Sequence, residues 1–494
     1  MKNQNIHISS VSLLRKNLVL LAQFFLIIFV YHTLKDLKDT IVITASDAGA
    51  EVIPFIKIWG MLPASIAASY LFAKLYNRFG REKTMYIFTT LLLSAYLIFA
   101  LVLYPLRDHL YLNALHDQLT TYLPTGCKGL IAMLCFWHYT LFYLAAELWS
   151  PLILAILFWG YVNETTTLAE AKKFYPICMI TGNCAGIISG QASHWLCHDL
   201  RALFSWEQTL QLMIGAVAVC GVLIMGMNKL LSRENPGYSQ QALKTKSKPK
   251  SFRESVLSIL KSGPLMCIAI LVVGFGLTSN LIEVVWKESI RTLHPDPQAY
   301  NAYINQLTSI IGVLAVCLAF ASRWIFQWLS WSKVALITPT TLFITSVIFF
   351  SALMLPSENL SVVATFFTVS PILLVVSLGS IHYVLAMTAK YTLFDNCKEM
   401  AFLSVEVEER TRAKSIIDSI GSRLGKSGAS CLYQFLLIVF GSASGYISVI
   451  GITSICMIGI SIIATKKLGD RLSGPTTTPE PEITLARTPL RGVN

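Results

Sequence analysis

Long apolar blocks dominate this chain of 494 residues and decide what it can fold into. Hydrophobic residues make up 54% of the sequence and charged residues only 13%, about half the charged share of an average soluble protein. The apolar residues come in blocks of about 20 or more, which is the length that crosses a bilayer as an α-helix. Lipid offers no partner to free backbone groups, so such blocks must span as helices. The sequence therefore predicts an all-α membrane protein.

The apolar blocks fall into two groups of six, so we expect about twelve transmembrane helices. The first group lies at about 17–44, 52–76, 83–104, 129–161, 174–198 and 209–231. The second group lies at about 263–290, 303–327, 333–355, 361–390, 410–440 and 443–466. These groups give an N-terminal half (1–231), a basic linker (232–262), a C-terminal half (263–466) and a tail (467–494) that is predicted to be disordered. Two six-helix halves are typical of major-facilitator-like transporters, whose site lies between the halves near the membrane midplane.

Basic residues concentrate in the loops on one side of the predicted membrane. The linker 232–262 carries seven Lys or Arg residues against two Glu residues, and both ends of the chain are also basic. The positive-inside rule then places both termini and the linker in the cytoplasm. This bias explains the net charge of +12 without a nucleic-acid partner. The apolar run that follows the polar N-terminus is too long for a signal-peptide core, so a multi-pass protein of the bacterial inner membrane fits best.

Polar and charged residues interrupt the apolar blocks in both halves. An ionisable side chain at membrane depth costs roughly 2.5–3.5 kcal/mol on insertion scales, and it commonly faces a wet cavity on a substrate or ion path. The candidates for substrate binding and transport are Lys35, Lys38, Glu147, Asn280, Glu283, Lys287, Arg423 and Lys426. Because both signs of charge occur in both halves, we expect a polar and anionic solute to cross the membrane.

In the first half, Lys35 and Lys38 share a helix face at a spacing of three, and two cations on one face could hold a phosphate chain. The alternative is that they end the span and extend to the membrane surface. Glu147 has no basic residue three or four positions away, so it needs a partner from another helix or a proton. Glu147 is therefore a candidate for proton coupling, and Glu164, nearer the cytoplasmic end, is a weaker one.

In the second half, Asn280, Glu283 and Lys287 share one helix face, with the two charges spaced as an i,i+4 pair. The alternative to a substrate role is an internal salt bridge that only neutralises both charges. Arg423 and Lys426 also share a face, in a segment with glycines every three or four residues that permit close helix packing. That segment resembles a phosphate-binding loop, but the spacing is one residue short and no strand precedes it.

Other classes of protein are disfavoured. The eleven cysteines are scattered without a Cys-x-x-Cys pair, which is typical of buried free thiols. We find no metal-ligand spacing and no nucleophile–base arrangement, so we expect no enzyme activity, no metal, no cofactor and no obligatory protein partner. A membrane enzyme acting on a phosphorylated lipid would need a His or Asp cluster at the membrane surface, and an open channel would not need paired charges in both halves.

Five stretches carry a resemblance to a known family. They are LKDLKDTIVITASDAGAEVIPFIKIW from Leu34, LFYLAAELWSPLILAILFWGYVNETTTLAEAKKFYP from Leu141, NLIEVVWK from Asn280, AKYTLFDNCKEMAF from Ala389 and RTRAKSIIDSIGSRLGKSG from Arg410. Together they span nearly the whole chain. In this order they resemble the nucleotide transport proteins, or ATP/ADP translocases, of obligate intracellular bacteria and plastids.

The resemblance implies a twelve-span secondary transporter that moves nucleotides by alternating access. The family's charged transport residues fall by motif match on Lys38, Glu147, Glu283 and Lys426. The first-span motif departs from the family pattern, because Lys35 stands where an arginine is usual and the preceding Asn is absent. A lysine lacks the two-pronged donor of arginine. ATP/ADP exchange or broader nucleotide exchange is the favoured function; a proton-coupled nucleotide importer and an NAD/ADP exchanger stay open.

Overall fold

The structure of this chain is a computed structural model. It describes residues 10–46, 48–166, 168–234, 258–403, 405, 410, 413–414, 416–441 and 443–473. Within these residues the fold is built from twelve long helices, here labelled α1 to α12, together with short helices in the connections.

The N-terminal half contains α1 to α6. Helix α1 is Ser10–Thr44, the run Gly49–Leu103 forms α2 and α3, α4 is Trp137–Asn163, α5 is Leu168–His198 and α6 is Trp206–Glu234. Gly80 divides the long run, because its positive φ of 73° interrupts the helix; α2 is the part before Gly80 and α3 the part after it. Glycine adopts this backbone conformation without the steric cost that a side chain adds.

The C-terminal half contains α7 to α12. Helix α7 is Gly263–Leu293, α8 is Pro297–Trp328, α9 is Trp331–Met354, α10 is Pro371–Phe402, α11 is Ser422–Phe440 and α12 is Ala443–Ser473. Nine helical runs of the described residues are long and apolar enough to cross a membrane, one of them being the pair α2 and α3. With α5 and α11, which carry more polar residues, they make up the two six-helix halves that the sequence predicts.

The predicted boundaries need two corrections. Helix α12 continues to Ser473, so the prediction of a disordered tail from residue 467 is wrong for residues 467–473, and the rest of the tail lies outside the described residues. Helix α6 extends to Glu234 and residues 258–261 are helical, so both ends of the predicted linker 232–262 belong to helices. Residues 235–257 of the linker lie outside the described residues. Amphipathic helix ends continue past the apolar core, which hydropathy alone does not detect.

The two halves meet mainly where α5 packs on α8 and where α2 packs on α11, and α1 contacts both α7 and α8. Small residues make the close approaches possible. A Cβ on Gly312 of α8 would lie 2.6 Å from Ile187 of α5, and one on Gly190 would lie 2.6 Å from the carbonyl oxygen of Asn305. Glycines allow helix backbones to approach in this way inside membranes.

Hydrogen bonds tie the halves together where α1 and α7 end, and we call this the closed end. The backbone N–H of Ala50 donates to the Glu288 carboxylate at 2.7 Å, and the Arg291 guanidinium donates to the carbonyl oxygen of Ser46 at 3.0 Å. Further contacts between the halves at this end involve Glu51 with Tyr446, Arg201 with Asp296, and Gln298 with Phe204 and Thr209. Opening this end therefore requires breaking a set of charged and neutral hydrogen bonds.

We predict that Gly425→Ala destabilises the protein whereas Gly428→Ala does not. A Cβ at Gly425 would lie 2.5 Å from the carbonyl oxygen of Val273 on α7, while nothing lies within 4 Å of one at Gly428. Overpacking of this kind typically costs about 1–3 kcal/mol. Thermal unfolding of both variants in detergent measures the difference, and equal melting temperatures would show that α7 and α11 do not pack this closely.

Candidate functional site

A chain of five alternating charges crosses the boundary between the halves. The Glu147 carboxylate of α4 lies 3.1 Å from Lys38 Nζ of α1, which lies 2.7 Å from Asp39 Oδ1. The other Asp39 oxygen accepts from Lys287 Nζ of α7 at 2.6 Å, and Lys287 also donates to Glu283 at 2.6 Å. The N-terminal half supplies three of these groups and the C-terminal half two. We call this set the charge chain.

The geometry of α1 explains how two consecutive residues serve different neighbours. Successive residues of an α-helix point about 100° apart. Lys38 therefore faces α4, while Asp39 faces α7. On α7 the i,i+4 spacing brings Glu283 and Lys287 together on the face that meets α1, as the sequence indicates.

Burial falls along the charge chain from its centre to its ends. The side chains of Lys38, Asp39 and Lys287 are 5–6% exposed, whereas Glu283 is 18% and Glu147 is 38% exposed. A buried charge needs a partner and hydrogen bonds to offset its lost hydration. The central residues have both, and Glu147 is the most exposed member of the set.

Glu147 finds its partner on another helix, as its lone position in the sequence requires. Tyr143 lies one helical turn earlier on α4, and its ring centroid is 3.9 Å from the Lys38 ammonium. A cation over an aromatic face gains about 0.5–2 kcal/mol, more when it is desolvated. The carboxylate and the ring of α4 thus hold Lys38 at the boundary between the halves.

Lys35 does not extend to the membrane surface but contacts the other half of the molecule. Its ammonium donates to the Tyr383 hydroxyl of α10 at 3.1 Å and lies 3.7 Å from Asp36. Asp36 in turn accepts from the Thr308 hydroxyl of α8 at 2.7 Å. Tyr383 stacks on Trp286 of α7, with ring centroids 4.4 Å apart. These contacts form a second polar bridge between the halves, one turn of α1 from the charge chain.

Asn280 leads to a cation that the sequence reasoning missed. Its amide oxygen accepts from Lys57 Nζ of α2 at 2.5 Å, while its amide nitrogen donates to the carbonyl oxygen of Gly276 at 2.9 Å. Lys57 lies in a π-helical stretch, Ile56–Met61, inside an apolar span. The available signal was a lysine among the isoleucines of that span, where a charge is costly.

The two cations of helix α11 differ in their relation to the charge chain. Arg423 and Lys426 are both exposed, and Lys426 lies close enough to Glu147 to interact with it electrostatically. The structure therefore brings Lys426 toward the charge chain and leaves Arg423 without a described contact to it. Glu164 follows α4 in the chain, and its side chain lies outside the described residues.

The assembled groups are balanced in charge. Four lysines face four carboxylates, namely Lys35, Lys38, Lys57 and Lys287 with Asp36, Asp39, Glu147 and Glu283. An anion that enters must therefore compete with the protein's own carboxylates for ammonium groups. Phosphate groups suit this competition because each offers several charged oxygen acceptors. Among the described residues, no cluster of His, Cys, Asp and Glu could hold a metal ion.

Comparison with known proteins identifies the family. The family model described as "TLC ATP/ADP transporter" matches residues 4–472. The chain is 33% identical over 469 residues to ADP,ATP carrier protein 2 of Chlamydia pneumoniae, an alignment that covers 90% of this chain and 86% of that protein. It is 34% identical over 463 residues to the chloroplastic ADP,ATP carrier protein 1 of Arabidopsis thaliana, covering 93% and 74% of the two chains.

Solved structures support the same fold at low sequence identity. A bacterial homologue of the iron transporter ferroportin in an inward-facing state aligns with a TM-score of 0.60 at 14% identity, covering 93% of this chain and all of that one. The nucleoside transporter NupG aligns with a TM-score of 0.54 at 11% identity, covering 92% and 98%. The fold is therefore that of a major-facilitator-like transporter. With the family model matching nearly its whole length, this multi-pass membrane chain belongs to the TLC ATP/ADP transporter family, whose relatives are carriers and not enzymes.

Proposed function

We propose that the chain exchanges ADP and ATP, or a broader set of nucleotides, across a bacterial inner membrane by alternating access. The charge chain carries this proposal, because it places ammonium groups from both halves at the boundary where a transporter of this fold binds its solute. The curated relatives named above as ADP,ATP carriers support adenine nucleotides as the substrate.

The phosphate chain of the substrate would replace the protein's carboxylates as the partner of Lys38 and Lys287. Each of these ammonium groups forms ion pairs with two carboxylates, so it is already oriented for charged oxygen atoms. Lys426 and Arg423 of α11 are exposed and would approach the same phosphates. Glu147 and Glu283, the ends of the charge chain, would be displaced toward solvent when the phosphates arrive.

The same replacement explains why exchange is favoured over one-way transport. Lys287 and Asp39 tie α7 to α1, and separating them without a new partner would remove one of the two ion pairs that each of these buried charges makes. A bound phosphate would supply a new partner for Lys287. The carrier with bound nucleotide therefore reorients more readily than the carrier without it. Each nucleotide that is taken up then requires another to be carried out.

The basic loops set the orientation in this proposal. If the positive-inside rule holds, both termini lie in the cytoplasm, and the closed end faces the periplasm. The exposed groups Glu147, Arg423 and Lys426 then open toward the cytoplasm. The chain would release nucleotide on this side and collect the outgoing nucleotide there.

Proton coupling is the second candidate function, and the ion pair between Lys38 and Glu147 argues against it. Glu147 appears in the sequence as a carboxylate without a cation within a helical turn, but Lys38 pairs with it from α1. The NAD/ADP exchanger remains a third form of the same proposal, since it requires the same diphosphate-binding lysines. Neither a nucleic-acid partner nor an obligatory protein partner forms part of this mechanism.

Exchange predicts a specific dependence on internal substrate. In liposomes that contain the purified chain, uptake of labelled ATP should rise severalfold when ADP is present inside, because the loaded carrier returns faster than the empty one. A proton uncoupler should leave uptake unchanged. Uptake that collapses with the uncoupler and ignores internal ADP would instead support the proton-coupled importer.

Recognition through phosphate predicts a graded competition. Unlabelled ADP and ATP should inhibit labelled ATP uptake strongly, AMP weakly and adenosine hardly at all, because each phosphate adds charged acceptors for the lysines. The half-inhibitory concentrations of the four compounds measure this order. Equal inhibition by adenosine and ADP would show that the base, and not the phosphate chain, dominates binding.

The tie between the halves predicts a non-additive stability. Lys287→Gln removes the ion-pair partner of Glu283 and leaves Asp39 with Lys38 alone, so it should lower the melting temperature clearly, since breaking a buried pair costs about 3–5 kcal/mol. Adding Asp39→Asn should restore part of that loss. As a control, Arg107→Gln breaks a half-exposed pair with Glu207 and should cost less than about 1 kcal/mol. A double variant that melts below the single would contradict the proposed tie.

A further inference from the structure

We propose that Lys57 of α2 binds the phosphate chain of the substrate, because its ammonium group is held by a neutral amide and not by a carboxylate. This inference rests on the proposed nucleotide function and adds to it a binding residue beyond the four charged transport residues that the family resemblance implies. It also gives Asn280 a defined task, which is to hold Lys57 in place until a phosphate arrives.

The partners of Lys57 set it apart from the three site lysines of α1 and α7. Lys38 and Lys287 each lie within 3.1 Å of two carboxylates, and Lys35 lies 3.7 Å from Asp36. Lys57 instead donates to the neutral amide oxygen of Asn280 at 2.5 Å. Among the residues that the structure describes, no carboxylate lies within ion-pair distance of its ammonium group.

This difference decides which lysine a phosphate can bind with the least rearrangement. Hydrogen bonds between two charged groups are about twice as strong as neutral ones. A phosphate that binds Lys38 or Lys287 must displace a carboxylate and leave that buried charge without its partner. A phosphate that binds Lys57 displaces only an amide oxygen, and it converts a charge–neutral hydrogen bond into an ion pair. Lys57 can therefore bind a phosphate with less rearrangement than Lys38 or Lys287.

The position of Lys57 suits this contact. It is partly exposed, and it lies in electrostatic range of Glu283, Lys287, Glu147 and Lys38, so it sits among the members of the charge chain. The π-helical stretch Ile56–Met61 around it adds an extra residue to the helical turn, a feature that is frequent at functional sites. A phosphate held by Lys57 would reach Lys38 and Lys287 next.

Asn280 is oriented for its task by the backbone. Its amide nitrogen donates to the carbonyl oxygen of Gly276 at 2.9 Å, which turns the amide oxygen toward Lys57. Replacing Asn280 by Asp would keep the shape and put a carboxylate beside Lys57. That variant should pair the Lys57 ammonium group with a carboxylate while the lysine side chain stays in place. It therefore tests the effect of the charge of Lys57 separately from the effect of its size.

The experiment measures ligand binding by the shift in melting temperature of the purified full-length chain in detergent, titrated with adenosine, AMP, ADP and ATP. Lys57→Gln should weaken ADP and ATP binding about tenfold or more, the value of a lost charged hydrogen bond, and leave adenosine unaffected. Lys57→Arg should retain most of the affinity. Asn280→Asp should weaken ADP binding to a similar extent, and in the Lys57→Gln background it should add little.

Lys16→Gln is the matched control, since Lys16 also donates to a neutral oxygen, the carbonyl of Thr165 at 2.7 Å, within the N-terminal half alone. It should bind ADP as the parent does. If the parent binds ADP and Lys57→Gln and Asn280→Asp bind it equally well, the inference is wrong while the proposed function stands. If the parent binds no nucleotide, the proposed function fails first. Should Lys57→Gln not fold, unchanged ADP affinity in Asn280→Asp alone would overturn the inference.

Discussion

The ion pair between Asp39 and Lys287 is the contact on which the rest of the site depends. It joins α1 to α7, and through Lys38 and Glu283 it connects α4 and the remainder of both halves. Neither charge could stay buried at this depth alone, because desolvation of an unpaired ion costs far more than a helix pair can offset. Each charge has one partner in its own half, Lys38 for Asp39 and Glu283 for Lys287, and the contact between the halves completes the pairing of both.

Buried ion pairs of this kind are weak evidence for stability, since well-packed apolar groups serve stability as well or better. In the proposed mechanism their use is that a solute can substitute for one partner. The carboxylates of Asp39, Glu147 and Glu283 occupy the ammonium groups that a phosphate chain would otherwise contact. A bound phosphate chain would add negative charge to this set, and the nearby cation Lys426 would offset part of it.

The closed end and the charge chain lie along the same helix. Glu288 and Arg291 of α7 follow Lys287 within about one helical turn, and both contact the segment that follows α1. A movement of α7 relative to α1 that separates Lys287 from Asp39 must also strain these hydrogen bonds. The rigid helix thus links occupancy of the site to the closure of one end, as a transporter of two rocking halves requires. Lys57 contacts α7 at Asn280, about two helical turns before Lys287.

The sequence by itself determined the class of the molecule, its two six-helix halves and most of the charged residues of the site, because a charge in an apolar block is visible from composition alone. It also showed the Glu283–Lys287 pair, since an i,i+4 spacing is local. The sequence could not predict which residues pair between different helices, because such pairs depend on packing between segments that lie far apart in the chain. The contacts of Lys38 with Glu147, of Asp39 with Lys287 and of Lys35 with Tyr383 are of this kind. Lys57 was overlooked although a lysine in an apolar span is visible in the sequence, and only the tertiary structure shows that its neighbour is an amide and not a carboxylate. The roles of Arg423 and Lys426 also separate only in three dimensions, where helix orientation decides which cation approaches Glu147.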